Sequence, residues 1–212
     1  MRAKDILYFG VLLAGVIFSF LRFPTLRRSE KVLALLLLIT LLQEGISFAY
    51  FIQHKSNVIF LRLYSLLEFV FVAAYYFLLI HNKNTRLTII FLVVVGLLWY
   101  FFPLAGATAI LPGLSFLLFE AFAILFISLL ACLHLALRED TNPLGSAGFW
   151  ITVSLIVYWS IAYTRFGLIT FPDVISIKAK IFMEETFFIT NIAFYTALTA
   201  ILAFYKRFSV SI

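Results

Sequence analysis

Long apolar runs alternate with short polar connections along the whole chain. A helix needs about 20 mainly apolar residues to cross the hydrocarbon core of a bilayer, and the runs have about that length. The pattern therefore predicts an all-α fold, a polytopic integral membrane protein built as a bundle of seven transmembrane helices. The predicted spans are about 6–22, 32–52, 58–80, 87–103, 113–136, 148–170 and 181–204.

The positions of the prolines support these spans and are independent of the hydropathy pattern. Proline lacks a backbone N–H and its ring clashes with the preceding helical turn, so it marks helix ends. All of the prolines fall at or between predicted helix ends: Pro24, Pro103, Pro112, Pro143 and Pro172. The connections are too short to hold a folded domain, so residues 1–212 are predicted to form a single transmembrane domain. The apolar connection 104–111 is either a re-entrant element or a segment at the bilayer interface.

The composition supports a lipid environment. Hydrophobic residues make up 64% of the chain and charged residues 12%, whereas a soluble domain is about half apolar and about a quarter charged. The net charge of +6 comes from basic residues between the apolar runs, where they set membrane orientation. The predicted partner is therefore the lipid bilayer and not nucleic acid. Cys132 is the single cysteine, so no intrachain disulfide forms.

The basic residues also predict an orientation. Five lie on the side of the N-terminus: Arg2, Lys4, Lys55, Lys178 and Lys180. Nine lie on the other side: Arg22, Arg27, Arg28, Lys31, Lys83, Arg86, Arg138, Lys206 and Arg207. Basic loops stay in the cytoplasm. We therefore predict a plasma (inner) membrane protein with its N-terminus outside and its C-terminus in the cytoplasm.

Several charged residues lie inside the predicted spans. A charge at a helix centre costs about 2.5–3.5 kcal/mol on insertion scales, so such residues are candidates for function. With the predicted orientation they all lie between mid-depth and the outer surface, and the inner halves of the helices are expected to lack charge, apart from His134 near the cytoplasmic end. They are Glu44, Arg62, Glu68, Glu120, Arg165, Glu184 and Glu185.

Helical spacing places other polar residues on the same faces as these charges. Tyr64 is four residues before Glu68, and Asn191 is seven after Glu184, so each pair shares a helix face. Because lipid cannot satisfy polar groups, these faces should converge on an interior cavity that is acidic, open to the outside and closed below by an apolar plug. The predicted ligand-binding residues are Glu44, Tyr64, Glu68, Glu120, Tyr158, Arg165, Glu184 and Asn191.

Arg62 and Arg165 are the predicted charge partners of the acidic residues. Two arginines do not satisfy three mid-membrane carboxylates, so a proton, a cation or an organic ligand is expected to complete the set. A hard metal cation would suit carboxylate oxygens, but the sequence does not identify a metal. The histidines form no paired metal motif and there is no Gly-rich phosphate loop. No catalytic residue and no cofactor are predicted.

Three functions fit this pattern. The first is a seven-helix sensor or ligand-binding module that signals through a partner membrane or signalling protein, since its own loops hold no output domain. The second is a proton- or cation-coupled transporter that uses the glutamates as relays. The third is an intramembrane lipid-processing enzyme with a carboxylate as acid or base. The one-sided charge distribution favours the first, because a carrier usually has polar groups near the midplane and access from both faces.

Overall fold

The computed structural model describes residues 3–102, 114–137, 143–169 and 176–208, and within these ranges the side chains from Lys4 to Phe204. The described part of the chain is helical throughout its regular structure. The α-helices are α1 (Ala3–Leu21), α2 (Arg28–Ile52), α3 (Val58–Leu79), α4 (Lys83–Phe101), α5 (Leu114–Ala136), α6 (Ala147–Ile169) and α7 (Ile177–Phe208). Short 3-10 helices cover Phe23–Thr25 and Pro143–Gly145.

All seven predicted helices are confirmed. Each contains a segment that is long and apolar enough to cross a membrane. Pro24 and Pro143 lie in the 3-10 turns between helices, as the sequence predicts. The connection 104–111 and the prolines at 103, 112 and 172 lie outside the described residues.

The helix ends extend beyond several of the predicted spans. α2 begins at Arg28 and not near 32, and α4 begins at Lys83 and not near 87. Hydropathy detects only the apolar stretch, whereas backbone hydrogen bonds continue through polar residues. At α4 the Asn82 side chain accepts a hydrogen bond from the Thr85 backbone N–H, at 3.1 Å, and caps the helix start.

The helices form a closed ring. Each packs against its neighbours in sequence, α1 packs against α7, and α3 also contacts α5. Lys4 Nζ bonds Glu185 Oε1 at 2.9 Å where α1 and α7 begin, and Arg22 donates to the Ala203 carbonyl where α1 ends. α1 and α7 therefore run parallel. We call the end where α1 begins the N-terminal end of the bundle.

The outer surface of the ring is apolar. On α4, Phe91 is 64% exposed and Leu98 is 55% exposed, and only Ile89 and Gly96 are buried. Gly96 allows close packing, since a Cβ there would lie 2.6 Å from the ring of the buried Phe69. Soluble proteins rarely expose apolar patches of more than a few hundred Å², so this surface is suited to lipid.

Candidate ligand-binding cavity

A cavity of about 480 Å³ lies at the N-terminal end of the bundle, and every one of the seven helices contributes to its wall. Odd-numbered helices contribute residues mainly from their first halves and even-numbered helices mainly from their second halves, with Tyr158 and Tyr195 near the middle of α6 and α7. These halves meet at one end because neighbouring helices run antiparallel. The volume falls within the range of small-molecule sites, roughly 300–1,000 Å³.

Seven of the eight predicted ligand-binding residues line this cavity. They are Glu44, Tyr64, Glu68, Glu120, Tyr158, Arg165 and Asn191. Glu184 does not line it, because its side chain is 58% exposed and is bound by Arg165. The structure thus brings residues of five helices to one place, while their role in binding stays a prediction.

Three carboxyl groups line the cavity, those of Glu44, Glu68 and Glu120, and we call them the carboxyl cluster. Glu44 Oε1 accepts a hydrogen bond of 3.2 Å from the Tyr8 hydroxyl. Glu120 Oε2 accepts from the Ser65 hydroxyl. Glu68 lies between them, close enough for its charge to interact with both. The cluster is therefore assembled from α2, α3 and α5.

The two predicted charge partners have different roles. Arg165 binds both carboxylate oxygens of Glu184, with the shorter contacts at 2.9 and 3.0 Å, and its guanidinium lies 4.3 Å from the centre of the Phe187 ring. Arg62 lies 5.6 Å from the centre of the Tyr100 ring. Neither forms an ion pair with the carboxyl cluster, and within the described ranges no other basic side chain does.

Three buried polar atoms at the cavity lack a hydrogen-bond partner. They are Glu120 Oε1, Trp159 Nε1 and Asn191 Oδ1. Their residues lie on α5, α6 and α7, and all of them line the cavity. An unpaired buried polar group costs about 1–3 kcal/mol, so native proteins seldom leave several in one place without a reason. These atoms are therefore the strongest sign of a binding site.

Exposure within the cavity falls from its rim to its floor. Val58 and Leu61, near the start of α3, are 50% and 46% exposed. Glu120 and Trp159 are 1% and 3% exposed. The cavity thus reaches the surface at one edge, while its polar atoms without partners lie deep inside.

A closely packed apolar layer closes the cavity toward the middle of the bundle. Glu68 and Tyr195 line both the cavity and a void of only about 10 Å³ beneath it. The remaining walls of that void are apolar. The apolar layer consists of Leu33, Leu37, Val72, Ile151, Leu155 and Leu198, none more than 2% exposed. It corresponds to the plug that the sequence predicts.

A second polar cluster lies on the far side of the apolar layer, which corrects one expectation. Glu30 precedes the predicted span 32–52, yet it lies in the first turn of α2, is 1% exposed and has an unpartnered Oε2. Glu30 is close enough to Tyr75 for its carboxylate charge to act on the Tyr75 hydroxyl. Tyr76 donates to Ser128 Oγ at 2.8 Å. The far halves of the helices are therefore not free of charge, because α2 begins earlier than its apolar run.

Several cavity residues were missed in the sequence, among them the polar residues Tyr8, Ser65 and Trp159. Tyr8 has no polar neighbour three or four residues away in the first apolar run, so no helical stripe identified it. Ser65 precedes Glu68 by three residues and therefore shares its face, a signal that could have found it. Trp159 follows Tyr158 directly, and adjacent residues point in different directions on a helix.

The carboxyl cluster is not arranged as a metal site. Among the described residues, no group of three or more His, Cys, Asp or Glu side chains lies close enough to hold a metal ion. The cluster also shares its cavity with a much larger apolar wall. The geometry suits an organic molecule better than a bare metal ion.

The chain matches no protein-family model, no curated protein and no solved structure. Fold similarity therefore contributes nothing to assigning a function. The chemistry of the cavity, and its position at one end of the bundle, carry the argument.

Proposed function

We propose that this protein is an integral membrane protein that binds a small organic ligand in the cavity and acts as a sensor module. The ligand enters from the outside, at the N-terminal end. Binding is passed to a partner membrane or signalling protein. The observation that carries the proposal is the set of unpartnered buried atoms on Glu120, Trp159 and Asn191, three residues that line one cavity.

The arrangement of the cavity supports sensing because a ligand there would contact several helices at once. Glu120, Trp159 and Asn191 stand on α5, α6 and α7, so a single ligand that satisfies them links three helices. A ligand shifts an equilibrium between conformations only through contacts that differ between them. Ligand binding would change the relative positions of these helices, and the partner protein would detect that change.

The second candidate is proton- or cation-coupled transport, and the Glu30 cluster favours it. Glu30 and Tyr75 place buried polar groups beyond the apolar layer, as a relay would need. Tyr75 follows Glu68 by seven residues on α3, a rise of about 10 Å. The apolar layer fills that interval, so we rank transport second.

The proposed orientation predicts which connections are accessible from outside an intact cell. Single cysteines replace exposed residues in a Cys132→Ala background and are treated with a membrane-impermeant thiol reagent. Ser56→Cys and Ser176→Cys should be labelled, because both lie at the N-terminal end of the bundle. Asn84→Cys, at the opposite end, should be labelled only after the cells are opened.

Exposure makes these three positions matched controls for each other, since each is exposed in the structure. Ser29, in the first turn of α2 at that opposite end, is unsuitable because it is buried. Labelling of Asn84→Cys in intact cells, with protection of the other two, would place the cavity on the cytoplasmic side. It would contradict an external ligand.

A further inference from the structure

We propose that the ligand is a protonated amine carried on an apolar body. This inference rests on the proposed function and names the chemical class of its ligand. The ammonium group would bind at the carboxyl cluster formed by Glu44, Glu68 and Glu120. The apolar body would lie against the aromatic wall made by Tyr158, Trp159 and Phe187.

The charge of the cavity selects a cation. Three carboxyl groups line it, and none has a basic partner in the described ranges. Two arginines also line the cavity, but Arg165 is bound by Glu184 and Arg62 lies against the Tyr100 ring, so neither neutralises the three carboxyl groups. An organic anion would be repelled by the cluster, whereas an ammonium ion would supply the missing positive charge in a buried place, where the attraction is strong.

The hydrogen-bonding atoms select an ammonium that retains its N–H groups. Two of the three unpartnered atoms, Glu120 Oε1 and Asn191 Oδ1, are acceptors. A primary ammonium offers three donors and no acceptor. Charge-assisted hydrogen bonds of this kind are about twice as strong as neutral ones. An ammonium group can therefore donate to Glu120 Oε1 and bring a positive charge to the carboxyl cluster, and Asn191 Oδ1 is a second acceptor on the same cavity wall.

The aromatic side chains in the cavity wall favour a ligand whose remaining part is apolar and flat. Tyr158 is stacked on Phe194 with ring centres 4.6 Å apart, and Phe187 lies 6.0 Å from Tyr158. Aromatic rings are also favourable neighbours of an ammonium group, Trp most of all. The indole of Trp159 lies in the same wall. A volume of about 480 Å³ is far larger than an ammonium group alone requires.

Trp159 provides the test, because the chain has only three tryptophans. In a Trp99→Phe, Trp150→Phe variant the remaining indole fluorescence comes from the cavity. The variant is reconstituted in discs of uncharged phosphatidylcholine and titrated with three probes of matched length. These are 4-phenylbutylamine, 4-phenyl-1-butanol and 5-phenylpentanoate.

The amine should bind at least tenfold more tightly than the alcohol or the carboxylate. In the same background, Glu120→Gln should weaken amine binding at least tenfold, and Asn191→Ala severalfold. Glu185→Gln is the matched control. Its side chain is 54% exposed and bonded to Lys4, outside the cavity, so amine affinity should not change.

Two outcomes would overturn the inference, and they separate it from the proposed function. If the alcohol or the carboxylate binds as tightly as the amine, or if neither Glu120→Gln nor Asn191→Ala weakens amine binding, the ligand class is wrong while the cavity still binds ligands. If none of the three probes alters Trp159 fluorescence or binds, the ligand-binding function falls as well. If the Glu120→Gln variant does not fold, the amine affinity of Asn191→Ala still tests the inference.

Discussion

Glu120→Gln is expected to abolish stabilisation of the protein by 4-phenylbutylamine and to leave the ligand-free protein at least as stable as the wild type. The Glu120 carboxyl is 1% exposed, and one of its oxygens has no partner. A buried charge that lacks a partner is costly, and an amide of the same shape carries no charge to desolvate. The substitution therefore removes a binding group without removing a structural one.

The expected size of the stabilisation by the amine follows from the mass-action relation between ligand concentration and Kd. A ligand present at 100 times its Kd stabilises the folded form by about 2.7 kcal/mol. For a chain of this length that corresponds to a rise in Tm of about 5–10 °C. Thermal unfolding in detergent, with and without the amine, measures it. The wild type and Glu185→Gln should show the full rise, and Glu120→Gln should show almost none.

The opposite pattern would assign Glu120 to the fold. In that case Glu120→Gln would lower the Tm of the ligand-free protein by several degrees, because the hydrogen bond from Ser65 holds α3 and α5 together. The amine would still raise the Tm of the variant. Such a result would leave the carboxyl cluster as a structural feature.

Protein reconstituted in sealed liposomes is expected to carry no protons or cations under an imposed gradient. The apolar layer lies directly beneath Glu68, and each of its side chains is almost fully buried. An ion that crosses it would lose its hydration without replacement ligands, at a cost of several kcal/mol or more. The void in this layer has a volume of only about 10 Å³, about that of one water probe and too small for a column of water.

The flux assay uses a pH-sensitive dye trapped in the liposomes, and Glu68→Gln as the matched variant. Wild type and variant should both match empty liposomes. Steady flux in the wild type that disappears in Glu68→Gln would show that the apolar layer opens. The Glu30 cluster would then be the inner part of a relay, and the carrier would replace the sensor.

Hydropathy was sufficient to find the seven α-helices of the described residues, because a membrane-spanning backbone has few alternatives to an apolar helix. It did not locate the helix ends, because a helix can continue through polar residues that lie outside its apolar run. Glu30 was placed outside α2 because it precedes the apolar run, although it lies in the first helical turn. Polar residues at a helix start carry no hydropathy signal.

Helical spacing identified most of the cavity wall but not its internal contacts. The four-residue spacing of Tyr64 and Glu68 placed both on one face, and both line the cavity. The pairing of Arg165 with Glu184 depends on how α6 and α7 pack. That packing arises from many small contacts, which one sequence does not reveal.

Tyr8 illustrates the same limit. Its hydroxyl bonds Glu44 because α1 closes the ring between α2 and α7. The sequence of the first apolar run does not show whether α1 closes the ring or lies at the edge of the bundle. The cavity residues that lie on a striped helix were predictable, and the single contributor from α1 was not.

An experimental density map of the protein in lipid discs, prepared with 4-phenylbutylamine, tests the central claim most directly. We expect density in the cavity that touches Glu120 Oε1 and extends along Trp159. Glu44 and Glu68 would lie at its charged end. A closed cavity, in which protein groups bond Glu120 Oε1 and Trp159 Nε1, would contradict it.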